Sequence, residues 1–330
     1  MQVSILMVRA LIGVIERAGA SRDRFLGVAG IDARLLEDGE ARMSAADYGR
    51  SLDAALAVSG DPAFGLHLGE QARSVMFDVL GPLAEHAATL RQCVETSARY
   101  ARLLAEGHDP ELHEQGDVAV IRLPSLRGEA AFVRVTAEFA MTALLPMLRH
   151  FAGDEARPTK VAFAYEAPAY VAEYERIFGG TARFGQAFTE MELPRAWLDK
   201  AQLYQSPELY AVLTAEAERT LGRLERDAPL RDRIERILEK HGPDELTMED
   251  VARELEMSAR SLRRRVLAEG VSYGELVTRN RMHTAKRMLE RPNTSIQETA
   301  YAMGFASTAA FHRAFKRWTG MTPKQYRDSF

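Results

Sequence analysis

An α+β N-terminal domain followed by an all-α domain with two helix-turn-helix motifs joined by a long helix is the fold class that the 330-residue sequence predicts. Strand-like and helix-like hydrophobic periods are mixed over the first two thirds of the chain, whereas the last third shows helical periods. Within that last third one helix-turn-helix pattern occurs twice, and a repeated motif is far more specific than a single copy. The length suits about two domains, each able to bury its own core. The boundary is placed near Asp227, giving domains 1–226 and 227–330 with no Gly/Ser-rich linker between them.

Val3 to Ala18 carries Ile5, Leu6, Leu11, Ile12 and Ile15 at helical spacings and ends at Gly19, which predicts a first helix. A second follows Ser44. Asp61 to Glu70 reads as a turn and a short apolar helix, and Gly81 to Gly107 contains an amphipathic helix with Leu90, Val94, Tyr100 and Leu103. Asp117 to Leu123 and Thr159 to Tyr165 are rich in β-branched and aromatic residues, as strands are, with a long helix from Glu129 to Phe151 between them. Ala167 to Gly180 reads as a helix closed by glycines, and Phe188 to Leu193 as a further strand. Helix resumes at Ser206, and Leu209 to Arg226 leads out of the domain. Asp227 and Pro229 look like the cap and first-turn proline of a helix from Leu230 to Lys240, striped by Leu230, Ile234, Ile237 and Leu238.

In Thr247 to Gly270, Met248, Ala252 and Leu255 form one buried stripe, and Leu262 and Val266 form the next. The same plan returns in Ser295 to Arg327. There Ser295 is the N-cap with Glu298 three residues on, Ile296, Ala300 and Met303 make the first stripe, Gly304 breaks the helix, and Phe305 plugs the gap. Phe311, Phe315 and Trp318 then make the second stripe. The offset is 48 residues before the turn and 49 after it, so the second turn is one residue longer. Tyr273 to Glu290 has no proline, and Tyr273, Leu276, Val277, Ala285 and Leu289 give it an apolar seam, which predicts a single connecting helix.

Through these residues the last hundred positions resemble the DNA-binding domain of AraC/XylS-type transcriptional regulators. Arg281 and Ala285 in the connector coincide with family positions, as do Ala300, Gly304, Phe305, Ser307, Phe311, Phe315, Lys316, Gly320, Pro323, Tyr326 and Arg327. Glu256 departs from the pattern, because the family places a small residue at the first turn. The stretches DPAFGLHLG, FDVLGPLAEHAATLRQCVETSARYARLL and VAFAYEAPAYVAEYERIFGGTARFGQAFTEMELPRAWLD extend the likeness to the effector-binding domain of a subfamily similar to ornithine-utilisation-type regulators. The resemblance implies double-stranded promoter DNA, a small-molecule effector, RNA polymerase and a second copy of the chain as partners, and activation as the mode. It names no ligand, and fold analogy cannot supply one.

The net charge of −4 hides an asymmetry. From Pro229 onward 19 Lys and Arg stand against 14 Asp and Glu, whereas residues 1–228 hold 24 basic and 33 acidic side chains. The phosphate-facing signal therefore belongs to the second domain. Hydrophobic residues at 46% and charged residues at 27% are ordinary for a globular protein. No apolar run looks long enough to span a bilayer and the first residues lack a signal-peptide pattern, so the cytoplasm is the expected location. The one cysteine, Cys93, excludes an internal disulfide framework.

At 100° per residue Leu262 and Val266 set the buried direction of the first recognition helix, so Arg260, Arg264 and Leu267 point away, Arg263 sits at the edge, and Arg265 turns towards the core side. An arginine fork donates two hydrogen bonds to guanine O6 and N7, which makes Arg260 and Arg264, with Arg263, the candidate base readers. Thr308, Ala309, His312 and Arg313 hold the corresponding face of the second helix, where Ala309 suits a thymine methyl. Ser258, Ser307, Lys316 and Arg317 are the candidate phosphate contacts, the serines by capping helices whose N-termini favour anions. A solvated basic face is the competing reading, and the duplicated motif weighs against it. Lys286 and Arg287 are assigned to phosphate or solvent.

The N-terminal domain offers fewer leads. His108, Asp109, Glu111, His113 and Glu114 form a polar stretch, read as a loop, whose spacing matches no zinc pattern, so no metal or cofactor is expected. Phe132, Phe163, Tyr165, Tyr170, Phe178 and Phe184 could enclose a small molecule, although core packing accounts for each of them singly. Cys93 reads as a buried packing residue. It leaves open a DNA-repair alkyl acceptor as an alternative, which would need an exposed, activated thiol. A constitutive architectural DNA binder is the other alternative. No phosphate loop, nucleophile elbow or HExxH motif argues for an enzyme.

Overall fold

A computed structural model describes residues 2–107, 109–124, 129–202, 205–241, 246–289 and 294–328. Its chain divides into two compact units, residues 1–223 and 224–330. The division falls three residues upstream of the expected boundary, inside one continuous helix, Pro207–Asp227.

In the first unit a short strand β1 (Gln2–Ser4) precedes α1 (Ile5–Arg17), followed by α2 (Arg22–Ala29), β2 (Arg42–Ser44) and α3 (Ala45–Ser59). The helix expected from Val3 thus begins two residues later. Ser4 accepts a hydrogen bond from the Leu6 amide as its N-cap, and residues 2–4 pair antiparallel with 42–44 instead. Helix α2 was not apparent in the sequence, since only Phe25, Leu26 and Ala29 are buried in it. Next come α4 (Phe64–Glu70), α5 (Leu80–Glu85) and α6 (Leu90–Tyr100), and then the hairpin β3 (Glu111–Gln115) and β4 (Val118–Arg122). The unit continues with α7 (Ala130–Ala152), β5 (Lys160–Ala162), α8 (Val171–Phe178), β6 (Ala182–Arg183), β7 (Glu190–Pro194) and α9 (Pro207–Asp227). The five strands order as β3-β4-β7-β5-β6, antiparallel except for β5 with β6.

Two cores fill this unit. One gathers α1, α2 and α3 around Ile5, Leu11, Phe25 and Leu52, and the other packs α6, α7 and α8 on the sheet around Leu90, Met141, Val161 and Tyr174. Helix α4 lies unusually close to α7. A Cβ placed on Gly65 would come within 2.5 Å of the Glu138 side chain, and one on Gly69 within 2.5 Å of Thr142 Cβ, so both positions require glycine. Glu138 is fully buried there, with the Tyr170 and Tyr174 hydroxyls donating to its Oε1 at 2.6 and 2.5 Å. Burial pushes its carboxyl pKa up, although both tyrosines and Arg134 oppose the shift.

Two expectations need correction. Glu111 to Gln115 is a strand and not a loop. As the edge of the sheet it exposes nearly every side chain, so it carries no alternating hydrophobic signal. Second, α7 is, by length and composition, apolar enough to cross a bilayer, contrary to the expectation that no run is. Its Val135, Met141, Leu145 and Leu148 are buried in the two cores, as expected of a central helix in a globular unit.

The second unit is helical throughout its described residues: α10 (Leu230–His241), α11 (Met248–Glu254), α12 (Ala259–Ala268), α13 (Tyr273–Leu289), α14 (Ile296–Ala302), α15 (Thr308–Thr319) and α16 (Pro323–Arg327). It has two separate cores. Ile234, Val251, Leu262, Val266 and Leu276 make one, and Ala285, Leu289, Ala300, Phe311, Phe315 and Tyr326 make the other. Leu276 near the start of α13 belongs to the first core while Ala285 and Leu289 near its end belong to the second, so this single helix carries both motifs. Asp227 closes α9 and is not the cap of α10. The Leu230 and Arg231 amides donate instead to the two carboxylate oxygens of Glu269, at 2.9 and 3.0 Å.

Candidate nucleic-acid interface

Each motif is built the same way. Thr247 opens α11 through a capping box with Asp250, and Ser295 opens α14 through one with Glu298. Both helices end on a left-handed residue, Glu256 at φ 55° and Gly304 at φ 73°, which are 48 positions apart. The closing bonds match too: the Met257 amide donates to the Ala252 carbonyl at 2.8 Å, and the Phe305 amide to the Ala300 carbonyl at 3.0 Å. The sequence departure at Glu256 therefore leaves the turn geometry intact, and Glu256 adopts a backbone conformation that glycine accepts without strain. Phe305 fills the second turn, its ring 5.5 Å from Phe311 and 6.0 Å from Trp318.

The turns deliver α12 and α15, each capped by serine: Ser258 accepts from the Ser261 amide and Ser307 from the Ala310 amide, both at 3.2 Å. On α12, Leu262 and Val266 are buried while Arg260, Arg263 and Arg264 are exposed. Arg265, expected on the core side, is exposed as well, because the buried stripe of this ten-residue helix is only two side chains wide. None of these four arginines forms an ion pair with a described residue. Leu267 is 55% exposed on the same helix. On α15, Ala309, Arg313, Lys316 and Arg317 are exposed and Thr308 and His312 half-buried, while Phe311, Ala314 and Phe315 face inward. Lys286, assigned above to phosphate or solvent, stands over the Tyr326 ring at 5.5 Å. Arg327 anchors α16 by donating to the carbonyls of Leu289 and Thr294 at 3.3 and 2.6 Å. The unit thus presents two helices with cationic, hydrogen-bond-donating faces, each on its own core, as major-groove readers require.

The residues singled out in the first unit have other roles. Cys93 is completely buried, its Sγ 2.8 Å from Met147 Sδ, and burial pushes the thiol up to about 12 against a weaker opposing bond from Ser97. The alkyl-acceptor alternative, which needs an exposed thiolate, fails there. Glu114 is held by Arg91 and Arg195, and Glu111 pairs with His113 at 3.0 Å; His108 lies outside the described residues. Among the described residues no group of three His, Cys, Asp or Glu side chains gathers as metal ligands would.

The expected aromatic residues pack on one another. Phe163 stacks on Phe184 at 5.7 Å, Tyr174 meets Phe184 edge-on at 4.9 Å, and Phe132 stands against Tyr48 in the other core. A cavity of about 400 Å³ lies elsewhere, where the two cores meet, lined among others by Met7, Tyr48, Phe77, Phe139, Ala143 and Met147. This volume is within the usual range for small-molecule sites, about 300–1,000 Å³. Sequence reasoning missed these residues because each reads singly as core. The available signal was α7 itself, which is apolar on more faces than one packed side needs.

Fold and interface together define a DNA-binding transcription regulator with two helix-turn-helix motifs. Residues 19–201 match the family described as the N-terminal arabinose-binding domain of AraC transcription regulator, and residues 251–329 match a helix-turn-helix domain family. The chain is 28% identical over 327 residues to the ornithine utilization regulator of Pseudomonas aeruginosa, covering 99% of this chain and 96% of that one. It is 30% identical over 303 residues to the regulator VirS of Mycobacterium tuberculosis, covering 87% and 85%. Among solved structures, the transcriptional regulator CdpR from Pseudomonas aeruginosa aligns over 98% of both chains at 22% identity with a TM-score of 0.45. The chain belongs to the AraC family of transcription regulators.

Proposed function

We propose that this protein is an effector-responsive transcriptional activator that reads a direct, non-palindromic site with α12 and α15 in successive major grooves. The observation that carries this reading is the pair of exposed cationic helix faces on two separate cores sharing α13. Arg260, Arg263 and Arg264 read bases in one groove, and Thr308, Ala309, His312 and Arg313 read the other with less bidentate donor capacity. Ser258, Ser307, Lys316 and Arg317 position the phosphates. The domain boundary of function is taken at 226/227.

The reading extends to a homodimer that acts in the cytoplasm, engages RNA polymerase and has no enzymatic activity. A cavity of about 400 Å³ in the acidic unit supports a sensor over a constitutive architectural binder. An effector must bind the DNA-competent and DNA-incompetent states with different affinity, since otherwise it shifts nothing. Binding to the folded protein also raises its melting temperature, so a thermal-shift screen followed by DNA-affinity measurements identifies it.

Site selection tests the base assignments. Arg264→Ala and Arg260→Ala should each cost about 1–3 kcal/mol and relax preference at one or two positions, whereas Lys316→Ala should weaken all sequences alike. An unchanged consensus selected by Arg264→Ala would refute the assignment.

A further inference from the structure

The reading face of α12 carries one side chain that its cationic neighbours do not explain. Leu267 is 55% exposed, and among the described residues it is the only large apolar side chain so exposed on either recognition helix. A single exposed leucine is ordinary on a protein surface, so its position decides whether it has a role. At 3.6 residues per turn, measured from the buried direction that Leu262 and Val266 set, Leu267 lies about 120° away, between Arg263 at about 80° and Arg264 at about 180°. Arg260 is only about 20° from it on the same scale. The remaining exposed side chains of the helix, Arg265 and Ala268, fall on the other side of Arg264. Leu267 therefore stands in the middle of the arc formed by the three candidate base readers, none of which forms an ion pair with a described residue.

The internal repeat sharpens this. At the offset of 49 positions, Arg260, Arg263, Arg264 and Leu267 match Ala309, His312, Arg313 and Lys316. A lysine at this place has the length and charge to reach a phosphate at the groove wall. A leucine has neither, and the apolar group that the major groove offers it is the C5-methyl of thymine, which stands on the wall side of the base edge. A helical side chain leans over the turn N-terminal to its own Cα, so Leu267 leans towards Arg264, about 4.5 Å back along the axis. That is little more than one base-pair step of about 3.4 Å. We infer that Leu267 is a base reader of a different kind in the first box, in van der Waals contact with the C5-methyl of a thymine next to the guanine that takes the Arg264 fork. This rests on the base-reading role proposed above for α12 and adds a base that its arginines do not select.

The test begins with site selection by full-length protein and by its Leu267→Ala variant. Affinities are then measured on the selected duplex with 2′-deoxyuridine replacing single thymines in the box that Arg264→Ala identifies, since uracil pairs as thymine does but lacks the methyl. The unchanged protein should weaken about fourfold at one position beside the guanine, as expected for one apolar carbon removed from water. Leu267→Ala should be insensitive to the same replacement while keeping its guanine preference and, because the side chain is exposed, its melting temperature. Leu267→Lys, which installs the residue of the second motif, should also be insensitive and should steepen the salt dependence by about one released counterion. Tolerance of deoxyuridine at every position by the unchanged protein would overturn the inference and leave the arginine assignments standing, as would a loss of equal size in Leu267→Ala. A Leu267→Ala variant that changes transcription but neither the selected sequence nor the deoxyuridine effect would place the leucine against a protein partner and likewise overturn it. An unchanged consensus from Arg264→Ala would remove the base-reading role of α12 and this inference with it.

Discussion

At the scale of single residues, Glu256 and Gly304 make a natural experiment, since the same turn is closed at φ 55° by a glutamate and at φ 73° by a glycine. A side chain in the left-handed region costs about 1–2 kcal/mol, partly offset because glycine loses more entropy on folding. Glu256→Gly should therefore raise the stability of the second unit by about 0.5–1 kcal/mol in denaturant unfolding, and Gly304→Ala should lower it. A destabilised Glu256→Gly variant would mean that the glutamate side chain makes a contribution beyond its backbone. Glu269 is the other telling residue. Its carboxylate caps α10 from 39 positions away, so Glu269→Ala should cost about 1–2 kcal/mol by leaving two amides of the helix N-terminus without their acceptor.

Elements differ in how far the sequence exposes them. The helices of the second unit were legible because their buried stripes are dense, as with Phe311 and Phe315, and their caps are local, as with Ser295 and Glu298. The cap on α10 was not, because its partner comes from the end of α12 and local spacing points to Asp227 instead. Strand β3 was hidden for a similar reason, since an edge strand that exposes its side chains shows no period. Charges hold that strand in place: Glu114 pairs with Arg195 at 2.5 Å and with Arg91, which also binds Asp199 at 2.7 Å. The hydrogen bonds from Arg91 and Arg195 lower the Glu114 carboxyl from 4.5 to about 2. A depressed carboxylate stabilises the fold above its unfolded pKa and loses that contribution as pH falls through its folded pKa. Removing the network with Glu114→Gln should therefore flatten the fall in stability between about pH 4.5 and pH 2. An acid-unfolding curve that runs parallel to that of the unchanged protein would contradict this role.

For the whole molecule, charge and repetition assigned the DNA-reading task to the last third of the chain, whereas the cavity proposed for the effector is lined by Met7, Leu52, Phe77 and Phe139, which are distant in sequence and individually ordinary. A site made of absent packing leaves no motif, and only the arrangement of the two cores reveals it. The central claim is that one chain reads two successive grooves, and hydroxyl-radical footprinting of the full-length protein on a selected duplex tests it most directly. Recognition helices in adjacent grooves should protect two clusters on one face of the DNA, about 10–10.5 base pairs apart, with different sequences in the two boxes and an affinity that falls steeply with salt. A single protected groove, or no binding to duplex at low salt, would contradict it.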